Sequence, residues 1–433
     1  MIRYHRSLEQ RISPARRLSG EVLLPGDKSI SHRYAMLSAI AEGRSKLNNY
    51  SGGADCQSTL ACLRSLGIEW TKTGSTVEVQ GCGLNGLQAP SETLDAGNSG
   101  STIRMLSGIL AAQPFQTRIG GDESLSKRPM GRIMTPLAEM GATIQATDGR
   151  YPPLEITGGP LRAIDYTLPV ASAQVKSCIL FAGLYADGTT TVRESIRTRD
   201  HTELALREFG ADVITRKGII SVEGKPPLKG RELLVPGDLS SAAFYLVAAM
   251  IVPNSNVLLQ AVGLNPTRAA LVDFLVGVGA GIRIPKMEQL GGELVGSLDV
   301  KTGTIRGGLI EKELTAALID EIPVLAVLGA ISEEGLTVRD AAELRVKETD
   351  RIATVAENFR RMGVSMEETP DGFHIPGKQR FRAAKLDSFG DHRIAMAFSV
   401  AALAADGDCV IDNAEAASVS YPEFYDTLRA ITQ

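Results

Sequence analysis

The chain has 433 residues, too many for one compact domain, and 43% hydrophobic with 22% charged residues is the make-up of a folded globular protein. A net charge of -4 argues against a general nucleic-acid binder, so any anion site must come from local clustering of Lys and Arg. Cys56, Cys62, Cys82, Cys178 and Cys409 are scattered and form no CxxC pair, which excludes a disulfide framework or zinc site and predicts reduced thiols in the cytoplasm.

The N-terminal arginines Arg3, Arg6, Arg11, Arg16 and Arg17 flank no apolar core, so they make no secretory signal. Glu9 and a strand starting at Glu21–Leu24 argue against an organelle transit peptide. No apolar run is long enough to span a membrane; the stretch Phe244–Val252 is far too short. The strand leads into Pro25-Gly26-Asp27-Lys28-Ser29, a turn followed by a helix that Asp and Ser can cap. Leu234-Val235-Pro236-Gly237-Asp238-Leu239-Ser240 repeats this pattern half a chain later.

A second pattern predicts helices that end in a left-handed glycine and turn at once into a strand. It occurs at Leu63–Ile68, Leu137–Ala142, Leu206–Ala211, Leu275–Ala280 and Phe359–Val364. Its glycines are Gly67, Gly141, Gly210, Gly279 and Gly363, roughly 70–85 residues apart, with a sixth copy expected near residue 433. Six units cut at the Pro-Gly turns give two similar α/β domains of three units each. One covers 27–236. The other is discontinuous, 1–26 with 237–433, because the second Pro-Gly reads as a return crossing.

Cations recur at or near helix starts: Lys28–Arg33, Gly97–Arg104, Lys127-Arg128-Pro129, Ser172–Lys176, Arg199–Glu203, Arg345–Arg351 and Gly390–Arg393. A helix N-terminus offers free N–H groups and a partial positive charge, and Arg adds bidentate contacts to phosphate or carboxylate. Such starts in both halves point to substrates with several negative groups. Lys28, Arg128 and Arg393 stand among glycines, prolines and capping residues and are assigned to binding. Arg64, Arg360 and Arg361 read as solvated surface groups, and His32 and His392 as structural. Asp320-Glu321 interrupts an apolar stretch, where a charge must be paired or at work in a cleft. Glu348 between Lys347 and Arg351 reads either as a helix ion pair or as a base kept ionised by its neighbours. There is no P-loop, no HExxH and no metal-ligand spacing. Gly81–Gly86 fits GxGxxG as a string, but no long helix follows, so the dinucleotide reading fails.

With these residues in hand, the chain resembles the 5-enolpyruvylshikimate-3-phosphate synthase family over nearly its whole length. The matching strings are LPGDKSISHR, LDAGNSGSTIR, KRPMGR, SAQVKS, RDHTE, NPTR, IDEIPVLA, RVKETDR, FGDHRIAMA and SYPEF, in the family's order. GDKSI, SAQVK, RDHTE and NPTR resemble the second class, whose members often tolerate glyphosate. Gly100 stands where the most tolerant members carry Ala, and Val419 where first-class members carry a lysine, so no contact is assigned to Val419.

The resemblance implies an inside-out α/β barrel fold: two domains of three βαβαββ units, with the active site in an interdomain cleft that closes on substrate. It implies Lys28, Gly100, Arg128, Gln174, Lys347, Arg351 and Arg393 around phosphoenolpyruvate. Around shikimate 3-phosphate it implies Lys28, Ser29, Arg33, Ser172, Ala173, Gln174, Arg199, Asp320 and Lys347. Asp320 is the implied base for the 5-hydroxyl, and Glu348 or Lys28 the implied acid for the methylene carbon. No metal or organic cofactor is implied. Partners are the two small substrates, with glyphosate expected at the phosphoenolpyruvate site and a monomer expected; neither nucleic acid nor membrane is a partner. The sister transferase acting on UDP-N-acetylglucosamine is the alternative. It carries Asn after the first lysine and a Cys in the loop before Arg-Pro, where this chain has Ser29 and no Cys between Gly121 and Lys127. A non-catalytic anion-binding protein of the same fold would lack the acids that Asp320 and Glu348 supply.

Overall fold

The structure, a computed structural model, describes residues 9–433; Arg3 and Arg6 lie outside these. The chain divides into two compact units, with breaks after Pro25 and Pro236. The middle unit comprises Gly26–Pro236 and Gln289–Glu293; the terminal unit comprises the residues up to Pro25, Gly237–Glu288 and Leu294–Gln433.

The middle unit holds three four-stranded sheets. In one, Asp165–Thr167 pairs in parallel with Thr189–Arg193, which pairs antiparallel with Ile219–Glu223 and through it reaches Val213–Arg216. Helix Ala173–Gly183 bridges the parallel pair and helix His201–Glu208 precedes the hairpin, giving strand, helix, strand, helix, strand, strand. The sheet of Leu94–Asp95, Gln116–Gly120, Tyr151–Thr157 and Thr143–Thr147 has the same plan. In the third, the first strand is Glu232–Leu234 from the far end of the segment, paired in parallel with Glu42–Asn48. Burial alternates along Thr189–Arg193 and Ile219–Glu223: Val192, Ile220 and Val222 point to the core and their flanking residues outward.

The terminal unit repeats the scheme. Ser19–Leu23 leads in sequence into the middle unit, yet pairs in parallel with Asn256–Gly263 of its own unit. The second sheet is built from Gly308–Ile310, Leu336–Val338, Gly372–Ile375 and Glu367–Thr369. The third is closed by Gln10–Ile12, antiparallel to Cys409–Asp412. Among the described residues these are separate sheets that do not join into a closed ring of strands. Each sheet instead lays one face over helices gathered at the unit's centre.

Two kinds of helix follow from burial. Lys28–Ile40, Gly100–Leu110 and Ala173–Gly183 in the middle unit, and Leu239–Ile251, Ile322–Ile331 and His392–Leu403 in the terminal unit, are buried nearly all round. They pack on one another within each unit. Among the others, five end at the glycines of the repeat. Gly67, Gly141, Gly210, Gly279 and Gly363 have φ of +87°, +111°, +99°, +108° and +73°, a region costly for residues with a Cβ. The sixth such helix is Phe424–Ile431. Gly26 is required for another reason: a Cβ there would sit 1.8 Å from the carbonyl oxygen of Asn49. The segment Gln289–Glu293, read from the sequence as part of the other domain, belongs to the middle unit. Its Gly291 carbonyl accepts from the Tyr34 hydroxyl at 3.3 Å, and Glu293 lies 2.7 Å from His201.

Candidate active site

The inner helices of the middle unit meet solvent only near their N-terminal ends, and there several assigned residues stand. In the middle unit Asp27 caps helix Lys28–Ile40 by accepting from the Ile30 amide at 2.9 Å. This holds the half-buried Lys28 at the rim, where its ammonium meets Asp55 at 3.0 Å. One turn on, Arg33 is buried, with Nε donating to Thr202 Oγ1 at 2.6 Å, Nη2 to Ser177 Oγ at 2.8 Å and Nη1 to the Ser29 carbonyl at 2.7 Å. Burial lowers the pKa of Arg33 to about 10, opposed by Glu203 and Asp27, so it stays charged at neutral pH. Arg199 is close enough to lower it further.

Ser99 caps helix Gly100–Leu110 and Ser172 caps Ala173–Gly183. Their first turns meet: Arg104 Nη1 donates to Gln174 Oε1 at 2.7 Å, and Gln174 Nε2 donates to Ser101 Oγ at 2.9 Å. Gly100 lies between two guanidinium groups. A Cβ there would be 2.9 Å from Arg104 Nη1 and 3.6 Å from Arg128 Nη1. Arg128 is aimed by Asn98, whose side-chain oxygen accepts at 2.9 Å. Ser29, Ser172, Ala173, Gln174 and Arg199 are all half-buried, the exposure expected of groups that contact a ligand.

The terminal unit brings together Asp320, Lys347, Glu348, Arg351 and Arg393. Asp320 sits in the break between helices Glu313–Leu318 and Ile322–Ile331. Its carboxylate lies 3.7 Å from Arg351 Nη1 and 3.8 Å from Arg393 Nη2, and its carbonyl accepts from Arg393 Nη1 at 2.8 Å. Arg351 is 1% exposed and gripped by Asp391 at 2.8 Å and Glu348 at 2.6 Å. Burial alone would lower its pKa, but Asp391, Glu348 and Asp320 together raise it. Lys347 moves the other way: burial lowers its pKa, Asp320 opposes, and Arg351 adds to the lowering. Lys347 is thus closer to losing its proton than an ordinary lysine.

The residues read as bystanders are so. Arg64 stacks over the Trp70 ring at 3.7 Å, and Arg360 and Arg361 pair with Glu357 on the surface. His32 is fully buried, bonded to Thr59 at 2.7 Å, and burial drops its pKa to about 3. His392 is also buried. Strand Thr76–Cys82 runs into Gly83–Gly86 with no helix after it. Among the described residues no group of His, Cys, Asp or Glu could hold a metal, and no helix is long and apolar enough to cross a membrane.

Sequence reasoning left partners unassigned. Asp55 opposite Lys28 lies 27 positions away, with only its place in a helix's first turn as a signal. Glu321 is buried against Ser240, Arg268 and Arg393, with Arg268 Nη2 donating to Ser240 Oγ at 2.5 Å. The NPTR string that contains Arg268 was the available hint.

A family model described as EPSP synthase (3-phosphoshikimate 1-carboxyvinyltransferase) matches residues 12–428. The chain belongs to the EPSP synthase family. It is 66% identical to a 3-phosphoshikimate 1-carboxyvinyltransferase of Solibacter usitatus, over 98% of this chain and 100% of that one. With the enzyme of that name from Geobacillus kaustophilus it shares 50% identity over 96% of this chain and 98% of the other. A solved EPSP synthase from Acinetobacter baumannii has a TM-score of 0.88 at 42% identity, covering 98% of both chains. The enolpyruvyl transferase NikO from Streptomyces tendae, at 18% identity and TM-score 0.77 over 98% of this chain and 97% of that one, shares the fold.

Proposed function

We propose that this EPSP synthase family member transfers the enolpyruvyl group of phosphoenolpyruvate to the 5-hydroxyl of shikimate 3-phosphate and releases inorganic phosphate. The middle-unit set takes the phosphorylated acceptor: Arg33, Arg199, Lys28 and Ser29 with the capped start Ser172-Ala173-Gln174. Lys28, Arg128 and Gln174, and likewise Lys347, Arg351 and Arg393, are the groups proposed for the phosphate and carboxylate of phosphoenolpyruvate. Asp320 accepts the proton of the 5-hydroxyl as its oxygen adds to C2 of phosphoenolpyruvate. Glu348 or Lys28 protonates C3, giving a tetrahedral intermediate with a methyl group. That intermediate then loses inorganic phosphate from C2 and a proton from the methyl carbon, and the enol ether results. Fixed cations steady charge better than water does, because they need no reorganisation during the reaction.

The observation that carries this reading is the setting of Asp320. Its carboxylate lies within 3.7 and 3.8 Å of two buried arginines and remains partly exposed, as a base for a hydroxyl must. The site's chemistry calls for no cofactor. The protein acts as a cytoplasmic monomer, and glyphosate, an anion with phosphonate and carboxylate groups, competes with phosphoenolpyruvate beside Gly100 and Arg128.

Phosphate release tests the proposal. With phosphoenolpyruvate present, shikimate 3-phosphate should trigger release and UDP-N-acetylglucosamine should not. Release with the nucleotide sugar alone would overturn it in favour of the sister reaction.

A further inference from the structure

Lys176 takes no part in the chemistry above, yet it is fully buried with two carboxylates around it. Its ammonium lies 2.7 Å from Glu203 Oε1 and 3.1 Å from Glu194 Oε2, and those side chains are 2% and 4% exposed. A buried ion cluster gains little over apolar packing of the same volume, because each charge must be stripped of water. Such a cluster is better explained by what it holds in place.

The neighbours of each member say what that is. Ser177 follows Lys176 and Thr202 precedes Glu203. The two hydroxyls lie 2.6 Å apart, and both accept from Arg33, at 2.8 and 2.6 Å. The ion pair therefore joins the two helices one residue away from the point where they grip the Arg33 guanidinium. Glu203 is also the first charge that sustains the Arg33 cation against burial. The third member acts on the loop. Glu194 Oε2 accepts from the Thr198 amide at 3.2 Å and from its hydroxyl at 2.7 Å, which closes the turn just ahead of Arg199. Helix Ala173–Gly183, which begins with the Ser172-Ala173-Gln174 start, is thus tied to that turn and to helix His201–Glu208 through one ammonium.

We propose that Lys176, Glu194 and Glu203 are a buried positioning cluster that sets Arg33 and Arg199 for the phosphorylated acceptor. This rests on the acceptor role given to those two arginines above. The cluster's effect should fall on acceptor affinity and leave phosphoenolpyruvate and the chemical step alone.

Two variants test it. Lys176→Met with Glu194→Gln removes one charge of each sign and leaves Glu203 to Arg33. Thr198→Val removes only the hydroxyl that closes the turn. The dissociation constant for shikimate 3-phosphate, measured by calorimetry, should rise roughly tenfold in the first and roughly threefold in the second, the scale of losing hydrogen bonds to charged groups. At saturating acceptor, kcat and KM for phosphoenolpyruvate should stay within about twofold, a change too small to signal a lost interaction. Thr198→Ser, which keeps the hydroxyl donor at the turn, should retain near-normal acceptor affinity. Unchanged acceptor affinity in folded variants would overturn the cluster's role. So would equal losses in kcat and both affinities, the mark of general damage. If the unaltered protein released no phosphate with shikimate 3-phosphate, the parent proposal would fall and this one with it.

Discussion

Gly100→Ala places a methyl group in a tight space beside two guanidinium groups. Its carbon would lie 2.9 Å from Arg104 Nη1, inside van der Waals contact. The obstacle is the tip of a flexible side chain, so the helix should survive. Ala also stabilises a helix by about 1 kcal/mol over Gly. What should suffer is the bond that Arg104 makes. Relieving the contact needs a shift of roughly 0.5 Å, enough to lengthen the 2.7 Å bond to Gln174 beyond good geometry. A hydrogen bond to a charged donor is worth about 1.5 kcal/mol or more, so the KM for phosphoenolpyruvate should rise about tenfold. The melting temperature should hold or rise, and the KM for shikimate 3-phosphate should change less. Steady-state kinetics with each substrate varied, beside a thermal melt, reads all three. A folded variant with an unaltered KM for phosphoenolpyruvate would refute the crowding argument.

Other expectations follow from burial and charge. Asp391→Asn takes the buried partner from Arg351 and should destabilise the protein by about 3 kcal/mol in urea titrations. Burial is the largest influence on Asp391 and raises its pKa, but the charge and hydrogen bond of Arg351 together with His392 outweigh it, and the net shift is downward. The stability it contributes is therefore present above about pH 4 and fades as pH falls through its depressed value, so the variant should lose less on acidification. His32 follows another rule. Its folded pKa of about 3 lies below the unfolded value of about 6.5, so only the unfolded chain gains a proton between them. Stability should fall by about 1.4 kcal/mol per pH unit across that window, and His32→Gln should abolish this share in denaturation curves run from pH 7 to 4. Gly67→Ala meets both a left-handed backbone and Gln88 at 2.8 Å, and should cost about 1–2 kcal/mol in a chemical melt with no change in either KM.

The repeat was legible because a left-handed helix end all but requires glycine, and five such ends recur before strands. The paired Pro-Gly-Asp turns were legible for the same kind of reason: Gly26 touches the backbone of Asn49, and the Asp beside each turn caps a helix. First-turn cations were readable too, since Lys28 and Arg393 stand next to capping aspartates. Pairings between distant residues were not. Asp55 with Lys28, Glu321 with Arg268 and Lys176 with Glu203 join separate segments and leave no periodic mark. The place of Gln289–Glu293 was hidden likewise, being fixed by His201 and Tyr34 more than 80 positions away. Gln10–Ile12 closes a sheet with only one buried residue, too short and polar for a strand signal.

Carbon NMR of a reaction with phosphoenolpyruvate labelled at C2 tests the central claim most directly. With shikimate 3-phosphate the label should pass from the enol phosphate to an enol ether on the 5-oxygen, with one phosphate freed per ether formed. Asp320→Asn should bind the acceptor normally yet slow this transfer by orders of magnitude. Near-normal transfer in that variant would remove Asp320 from the chemistry, and a label that never leaves phosphoenolpyruvate in the unaltered protein would contradict the account as a whole.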